Sequence, residues 1–240
     1  MYKGVIFDLD GTLIDTIADI GNSTNLMLRE YDFPTHSTKE YKLMVGNGFK
    51  ELVKKALPKD KEDLINEAYE KFVYHYGAHY MDETKPYSGI NELLKVLQYK
   101  GIKIGVNSNK RDDYTKALLA SLFKDIDFIE VVGQRAGLKA KPEPDGANII
   151  LKAMNLSKEE VIFIGDTKVD IATGKNTGLK TIGCLWGFRD EAELLEAGAD
   201  YIVSSPKEII DIICSWYKSK NEVHGLALKS HISPKRLKAL

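Results

Sequence analysis

The sequence predicts an α/β fold, a doubly wound parallel sheet of Rossmann-like architecture with a helical cap inserted into it. Three observations predict this. Short β-branched runs alternate with segments of helical period. The runs are almost continuously apolar, as strands are when helices cover both faces of a parallel sheet. The stretch from Asp10 to Ile102 is also far longer than the roughly dozen residues a strand-helix-strand crossover needs, so something is inserted there.

The first strand is "GVIFDL" (4–9), and it runs into Asp8 and Asp10 with Gly11 directly behind them. Side chains two apart on an extended segment share a side, so the two carboxylates crowd each other at a strand end. A cation, a proton or chemistry compensates such a pair, unless Asp and Gly merely supply a turn. Residues 16–84 contain no strand pattern; "TIADIGNSTNLMLREY", "GFKELVKKAL" and "KEDLINEAYEKFVYHYGAHY" read as amphipathic helices of a small bundle. His75 and His79 in the last of these have the spacing of a metal pair, but the apolar face beside them points to solvated side chains. The remaining strands are "IKIGVNS" (102–108), "DFIEVV" (127–132), "VIFIGD" (161–166), "KTIGCLW" (180–186) and "DYIVSS" (200–205). The expected organisation is a core of residues 1–15 and 85–217, a helical cap of residues 16–84 and a loosely ordered basic tail, 218–240.

Composition narrows the class. At 240 residues, 43% hydrophobic and 29% charged, the chain can bury a large core. It has no run of about 18 apolar residues and no signal-peptide pattern before "GVIF", so neither a membrane span nor export is expected and the cytoplasm is the default location. Cys184 and Cys214 lie far apart without metal-ligand spacing and read as small buried hydrophobes. The net charge is −1, yet Lys218, Lys220, Lys229, Lys235, Arg236 and Lys238 face only Glu222 in the tail, so the body is acidic. An acidic body argues against a nucleic-acid-binding face and suits carboxylates that hold a divalent cation.

Ligands of open parallel sheets bind beyond the carboxyl ends of the strands. Those ends carry Asp8 and Asp10, then Ser108 and Asn109, then Gly165 and Asp166 with Asp170 following; Lys141 precedes a helix that Pro144 could open as its first residue. Singly, Ser108 would be a helix cap, Lys141 a surface charge and Asp166 a turn residue. Together they place carboxylates, a hydroxyl and an ammonium in one cleft.

In order and spacing, "DLDGTLIDT", "VNSN", "KPEP" and "GDTKVD" resemble the four motifs of the haloacid-dehalogenase-like hydrolases, and within them the phosphoglycolate phosphatase type; the resemblance runs from about residue 3 to 217. It implies a phosphatase in which Asp8 is the nucleophile, Asp10 the acid and base, and Lys141 the neutralising cation. It further implies that Ser108 and the Asn109 amide bind phosphoryl oxygens, and that Mg²⁺ is held by Asp8, the Asp10 carbonyl and Asp166 with support from Asp170. Asp10 favours phosphoryl chemistry over halide displacement, which needs no acid for a leaving oxygen. A sugar-phosphate mutase of the β-phosphoglucomutase type, a pyrophosphatase or a broader phosphatase is the alternative, and a non-catalytic binding protein is the reading from another class. "VGNG" resembles the cap of phosphoglycolate phosphatases, so Gly46, Asn47 and Gly48, at the start of a helix, are expected to help bind a small substrate's second negative group. The partner implied is a small phosphorylated metabolite, for a monomer or a homodimer.

Overall fold

β1 (Gly4–Phe7) takes the middle of the sheet because all four of its residues are apolar or lack a side chain, and all are buried. The computed structural model describes residues 2–214. The basic tail and residues 215–217 of the expected core lie outside them. β1 pairs in parallel with β4 (Lys103–Arg111) on one side and β6 (Val161–Gly165) on the other. β5 (Phe128–Gln134) lies beyond β4, and β7 (Lys180–Cys184) and β8 (Tyr201–Val203) lie beyond β6, giving six strands in the order β5-β4-β1-β6-β7-β8. The sheet is parallel throughout.

Between these strands run α5 (Ile90–Tyr99), α6 (Asp112–Leu122), α7 (Asp145–Met154), α8 (Lys168–Thr177) and α9 (Glu191–Glu196), with α10 (Pro206–Cys214) after the last strand. The chain winds outward from β1 in both directions, so strand order reverses at β1. That is the topological switch point where open α/β sheets bind ligands.

The long connection after β1 holds α1 (Ile17–Arg29), α2 (Thr38–Met44), α3 (Phe49–Ala56) and α4 (Ile65–His79). Their apolar faces form a separate core around Leu28, Tyr41, Leu52, Phe72 and Tyr76, all essentially inaccessible to solvent. Sequence pattern showed no strand beside this bundle. The structure adds two short ones, β2 (Ile14–Asp15) and β3 (Lys85–Pro86), which pair antiparallel where the chain enters and leaves it. Two-residue strands carry too little periodicity to read. Pro144 is the residue before α7 rather than its first, a shift of one position at a helix end. His75 and His79 turn to separate carboxylates, Glu30 at 2.6 Å and Asp82 at 2.8 Å. Cys184 is buried, Cys214 partly so, and both are free thiols.

Both passages between core and bundle are fastened by one carboxylate. Asp19, in the first turn of α1 and 1% exposed, accepts hydrogen bonds from Glu83 N (3.0 and 3.1 Å), Thr84 N (2.9 Å) and Thr84 Oγ1 (2.7 Å). Removing a buried acceptor orphans its donors at about 1–3 kcal/mol each. Asp19→Ala should therefore destabilise by on the order of 2–4 kcal/mol, a melting-temperature loss of roughly 5–15 °C for a chain of this size. An unchanged thermal melt would contradict the role given to Asp19.

Candidate active site

Strand register brings the site together. Phe7 is level with Val106 on β4 and Ile164 on β6, so Asp8 emerges beside Asn107 and Gly165. Ser108 and Asp166 follow one residue further on. β4 pairs with β5 at Asn107 and again at Arg111, with a break in register between them. Bulges of this kind re-aim side chains. Here Ser108, Asn109 and Lys110 all line one chamber, although a regular strand would turn every second residue away.

Carboxylates crowd the end of β1. Asp8, Asp166 and Asp170 each offer an oxygen within 4.8 Å of the others, and all three are buried. Lys141 Nζ lies 2.5 Å from Asp8 and 2.6 Å from Asp170. Burial, reinforced by the charge of Asp170, pushes the Asp8 carboxyl well above the usual carboxylate range, and Lys141 only partly offsets it. The same two causes raise Asp166 to about 7, against hydrogen bonds from Phe188 N (2.8 Å) and Thr12 Oγ1 (3.0 Å). Burial alone would lower Lys141, but Asp170 and Asp8 outweigh it and hold the ammonium firmly protonated. Three carboxylates against one ammonium leave an excess of negative charge that a divalent cation would balance, and oxygen donors suit a hard cation. Both Asp170 oxygens are already engaged, one by Lys141 and the other by Thr167 N and Oγ1 as the cap of α8.

Gly11 answers why glycine follows the two aspartates. Its φ is +89°, in the left-handed region, and a Cβ there would collide with the Asp166 carboxylate. The turn that it starts also supplies Thr12 to Asp166.

Asp10 stands apart from the acidic cluster. Its Oδ1 accepts from Thr16 Oγ1 at 2.8 Å and from Lys110 Nζ at 2.9 Å, and Lys110 reaches its Oδ2 at 3.1 Å. Asp8, Asp10, Ser108, Asn109, Lys141, Asp170, Gly46 and Gly48 surround a chamber of about 40 Å³. Asp166 lies behind that wall, against Asp8 and Asp170. Asn47 is not brought in; it lines a neighbouring, more open cavity with Lys50, Glu70 and Arg111. Gly46 (φ +115°) and Gly48 (φ +87°), the residue before α3, bring the bundle against the core, and Gly46 O accepts from Asn109 Nδ2 at 3.0 Å.

Three residues escaped the sequence reading. Lys110 is hidden there by its alternation with Asn109, since only the bulge brings both to the chamber. Phe188, after β7, donates its N–H to Asp166 while its ring joins the bundle's apolar core. Arg189 donates to the backbone carbonyls of Lys42 and Val45 at the end of α2, the latter at 2.9 Å. No periodicity marks a loop residue that crosses between two cores. The signal available was the compact run "WGFRD" itself.

The chain is similar to known proteins in both sequence and fold. The chain is 32% identical to the phosphoglycolate phosphatase of Aquifex aeolicus, over 87% of this chain and 95% of that one. It is 34% identical to the Clostridium perfringens protein named "Putative pyrophosphatase PpaX", over 89% and 98%. Among solved structures it resembles the "putative phosphoglycolate phosphatase" of Lactobacillus delbrueckii subsp. bulgaricus with a TM-score of 0.84 and 28% identity, covering 88% of this chain and 98% of that one. The family model described as "Haloacid dehalogenase-like hydrolase" matches residues 5–184, which include the ends of β1, β4 and β6, and the chain belongs to that family.

Proposed function

We propose that this hydrolase is a Mg²⁺-dependent phosphatase acting on a small phosphate monoester, 2-phosphoglycolate by preference, through an aspartyl phosphate on Asp8, and that residues 16–84 act as its cap. One observation carries the reading. Two carboxylates two residues apart stand in opposite surroundings: Asp8 in a buried acidic cluster with Lys141, Asp10 outside it with Lys110 and Thr16. Unlike surroundings are how one site assigns different roles to like groups.

An Asp8 oxygen attacks phosphorus as the bond to the leaving oxygen breaks, and Asp10 gives that oxygen its proton. Asp10 then takes a proton from the water that attacks the acyl phosphate, which frees Asp8 and releases phosphate. Ser108 Oγ and the Asn109 amide bind phosphoryl oxygens, and the Lys141 ammonium offsets charge on both nucleophile and phosphoryl group. Asp8, Asp166 and the Asp10 carbonyl would hold Mg²⁺, with Asp170 orienting Lys141 and α8 around it. When bound, the ion would neutralise the crowded carboxylates and the charge of the transferred group.

The small chamber supports a small substrate: about 40 Å³ corresponds to a few water molecules, at roughly 10–15 Å³ each on this measure. α3 starts at its wall and can offer main-chain N–H groups to a second anion. Pyrophosphate stands second, on the name that the Clostridium perfringens relative carries.

Asp8→Asn should abolish phosphate release from every ester while the protein melts as before, because an amide is no nucleophile toward phosphorus. Turnover in that variant, with deamidation excluded by mass spectrometry, would sink the assignment.

Metal dependence carries a sign in pH. Asp166 titrates near 7 in the fold against 3.8 ordinarily, so metal-free protein keeps this stability below about pH 4 and loses it as pH rises through 7. A divalent ion binding the carboxylates relieves that loss. The melting-temperature gain from saturating Mg²⁺ should therefore be larger at about pH 8 than at about pH 5.5. Equal gains at both, or full activity in chelator, would contradict the site.

On substrate, kcat/KM for 2-phosphoglycolate should exceed that for glucose 6-phosphate and pyrophosphate. Gly48→Ala, strained at φ +87° and 3.2 Å from Asn109 O, should erode this preference more than it slows p-nitrophenyl phosphate. Pyrophosphate as the best substrate would decide for the second reading.

A further inference from the structure

Lys110 is a cation that the reaction scheme above does not use. Its side chain is wholly inaccessible to solvent, yet it projects from the end of β4 into the chamber wall. Burying an ammonium is costly unless it is paired. Its partner is Asp10, at 2.9 and 3.1 Å to the two carboxylate oxygens. Its other neighbours are the ring faces of Phe49 on α3 and Tyr76 on α4, 5.1 and 4.9 Å from Nζ to the ring centres. Ring faces attract a cation but accept no directed hydrogen bond comparable with a carboxylate's. The ammonium is therefore aimed at Asp10, and Thr16 Oγ1 donates to Oδ1 of the same carboxylate at 2.8 Å.

We propose that Lys110 is the positioning residue of Asp10: it orients that carboxyl group in the chamber and stabilises the carboxylate that Asp10 becomes once its proton has passed to the leaving oxygen. This rests on the reading of Asp10 as the acid. As the P–O bond breaks, its electron pair stays on the leaving oxygen, which takes the Asp10 proton while the Asp8–P bond forms. Negative charge thus appears on Asp10 in that step, 2.9 Å from a desolvated ammonium. Lys141, by contrast, is committed to Asp8 and Asp170.

The test exploits leaving groups. kcat/KM reports the steps up to phosphorylation of Asp8, where an alkyl leaving oxygen needs a proton and p-nitrophenolate does not. The alkyl probes are 2-phosphoglycolate and glycerol 3-phosphate, set against p-nitrophenyl phosphate. Asp10→Asn should lower kcat/KM on the alkyl esters by about 10²-fold or more, the usual scale of acid catalysis, and far less on the aryl ester. Lys110→Met should show the same selectivity, with roughly a 10- to 10²-fold loss on both alkyl esters, because misplacing a reacting group costs on that scale. In the Asp10→Asn background, Lys110→Met should then cost little more, the non-additivity of two residues acting as one unit. If Lys110→Met does not fold, Lys110→Gln, which removes the charge and ends one bond short of Nζ, carries the same comparisons.

Equal losses on alkyl and aryl esters, or full multiplication of the two effects, would overturn the proposal. So would a rise in KM confined to 2-phosphoglycolate, which would make Lys110 a binder of the substrate carboxylate instead. If Asp10→Asn itself shows no leaving-group dependence, the acid assignment has failed rather than the role of Lys110 within it.

Discussion

Negative charge confined at the end of one buried strand is the constraint on which the rest of this structure depends. Asp8 cannot move away from Asp166 and Asp170, because β1 is hydrogen-bonded on both edges and its neighbours are in fixed register. The surroundings are shaped to keep the carboxylates there. Gly11, Gly165 and Gly187 each lack the Cβ that would strike Asp166 or Asp170. Donors come from Thr12, Thr167 and the Phe188 amide, and a counter-charge from Lys141. These contacts orient the oxygens without cancelling their charge, and a divalent cation is the economical remedy.

The contacts between core and bundle are of a different kind. Two rings of the core cross into the bundle, Phe188 and Tyr114 of α6, the latter packed edge-on against Phe49 and Tyr76; beside them the contacts are polar: Asn109 to Gly46, Arg189 to the carbonyls at the end of α2, and Lys110 over two aromatic faces. A cation at a helix C-terminus meets both unpaired carbonyls and the negative end of the helix dipole. Phe188 links the two halves chemically, since the residue whose ring enters the bundle also fixes Asp166 through its amide. The Lys110 ammonium is likewise fully desolvated only while the rings of α3 and α4 cover it.

Legibility in the sequence followed the physics of each feature. "GVIFDL" and "VIFIGD" could be read because a strand buried on both faces must be continuously apolar, and both strands appear within two residues of their expected ends. The insertion could be read because a crossover has a typical length. Asp8, Asp10, Ser108 and Asp166 could be gathered in advance because a parallel sheet collects its carboxyl ends at one edge, and Lys141, in the loop before α7, through the "KPEP" resemblance. Lys110, Asn47 and Arg189 resisted the same logic. A bulge in β4 breaks the alternation by which Lys110 would have been sorted with its neighbours, and adjacent residues in the Gly46–Gly48 turn face different cavities. Arg189 acts on carbonyls, which carry no sequence signature. Asp19 lay at a helix start and would pass for a cap, whereas its acceptors serve the returning chain at Glu83 and Thr84.

The division between sheet core and helical bundle also bears on where the proposed substrate preference would arise. Every group proposed to touch phosphorus or the metal sits on β1, β4, β6 or the loops leaving the sheet, and that geometry is indifferent to what lies beyond the leaving oxygen. The opposite wall is built by Ile20, Val45, Gly46, Gly48, Phe49 and Leu52 of the bundle. That wall is largely apolar, with main-chain groups at the start of α3 as its polar feature, so it can reject bulk and accept an anion close to the phosphoryl group. Beyond Gly48, Phe49 and Asn109 lies the second cavity, lined by Lys50, Glu51, Glu70 and Arg111. A larger leaving group would have to displace that partition, breaking the Asn109–Gly46 bond and disturbing the ring of Phe49 over Lys110. The proposed size selection and the seating of Lys110 beside Asp10 therefore rest on the same few residues of the bundle.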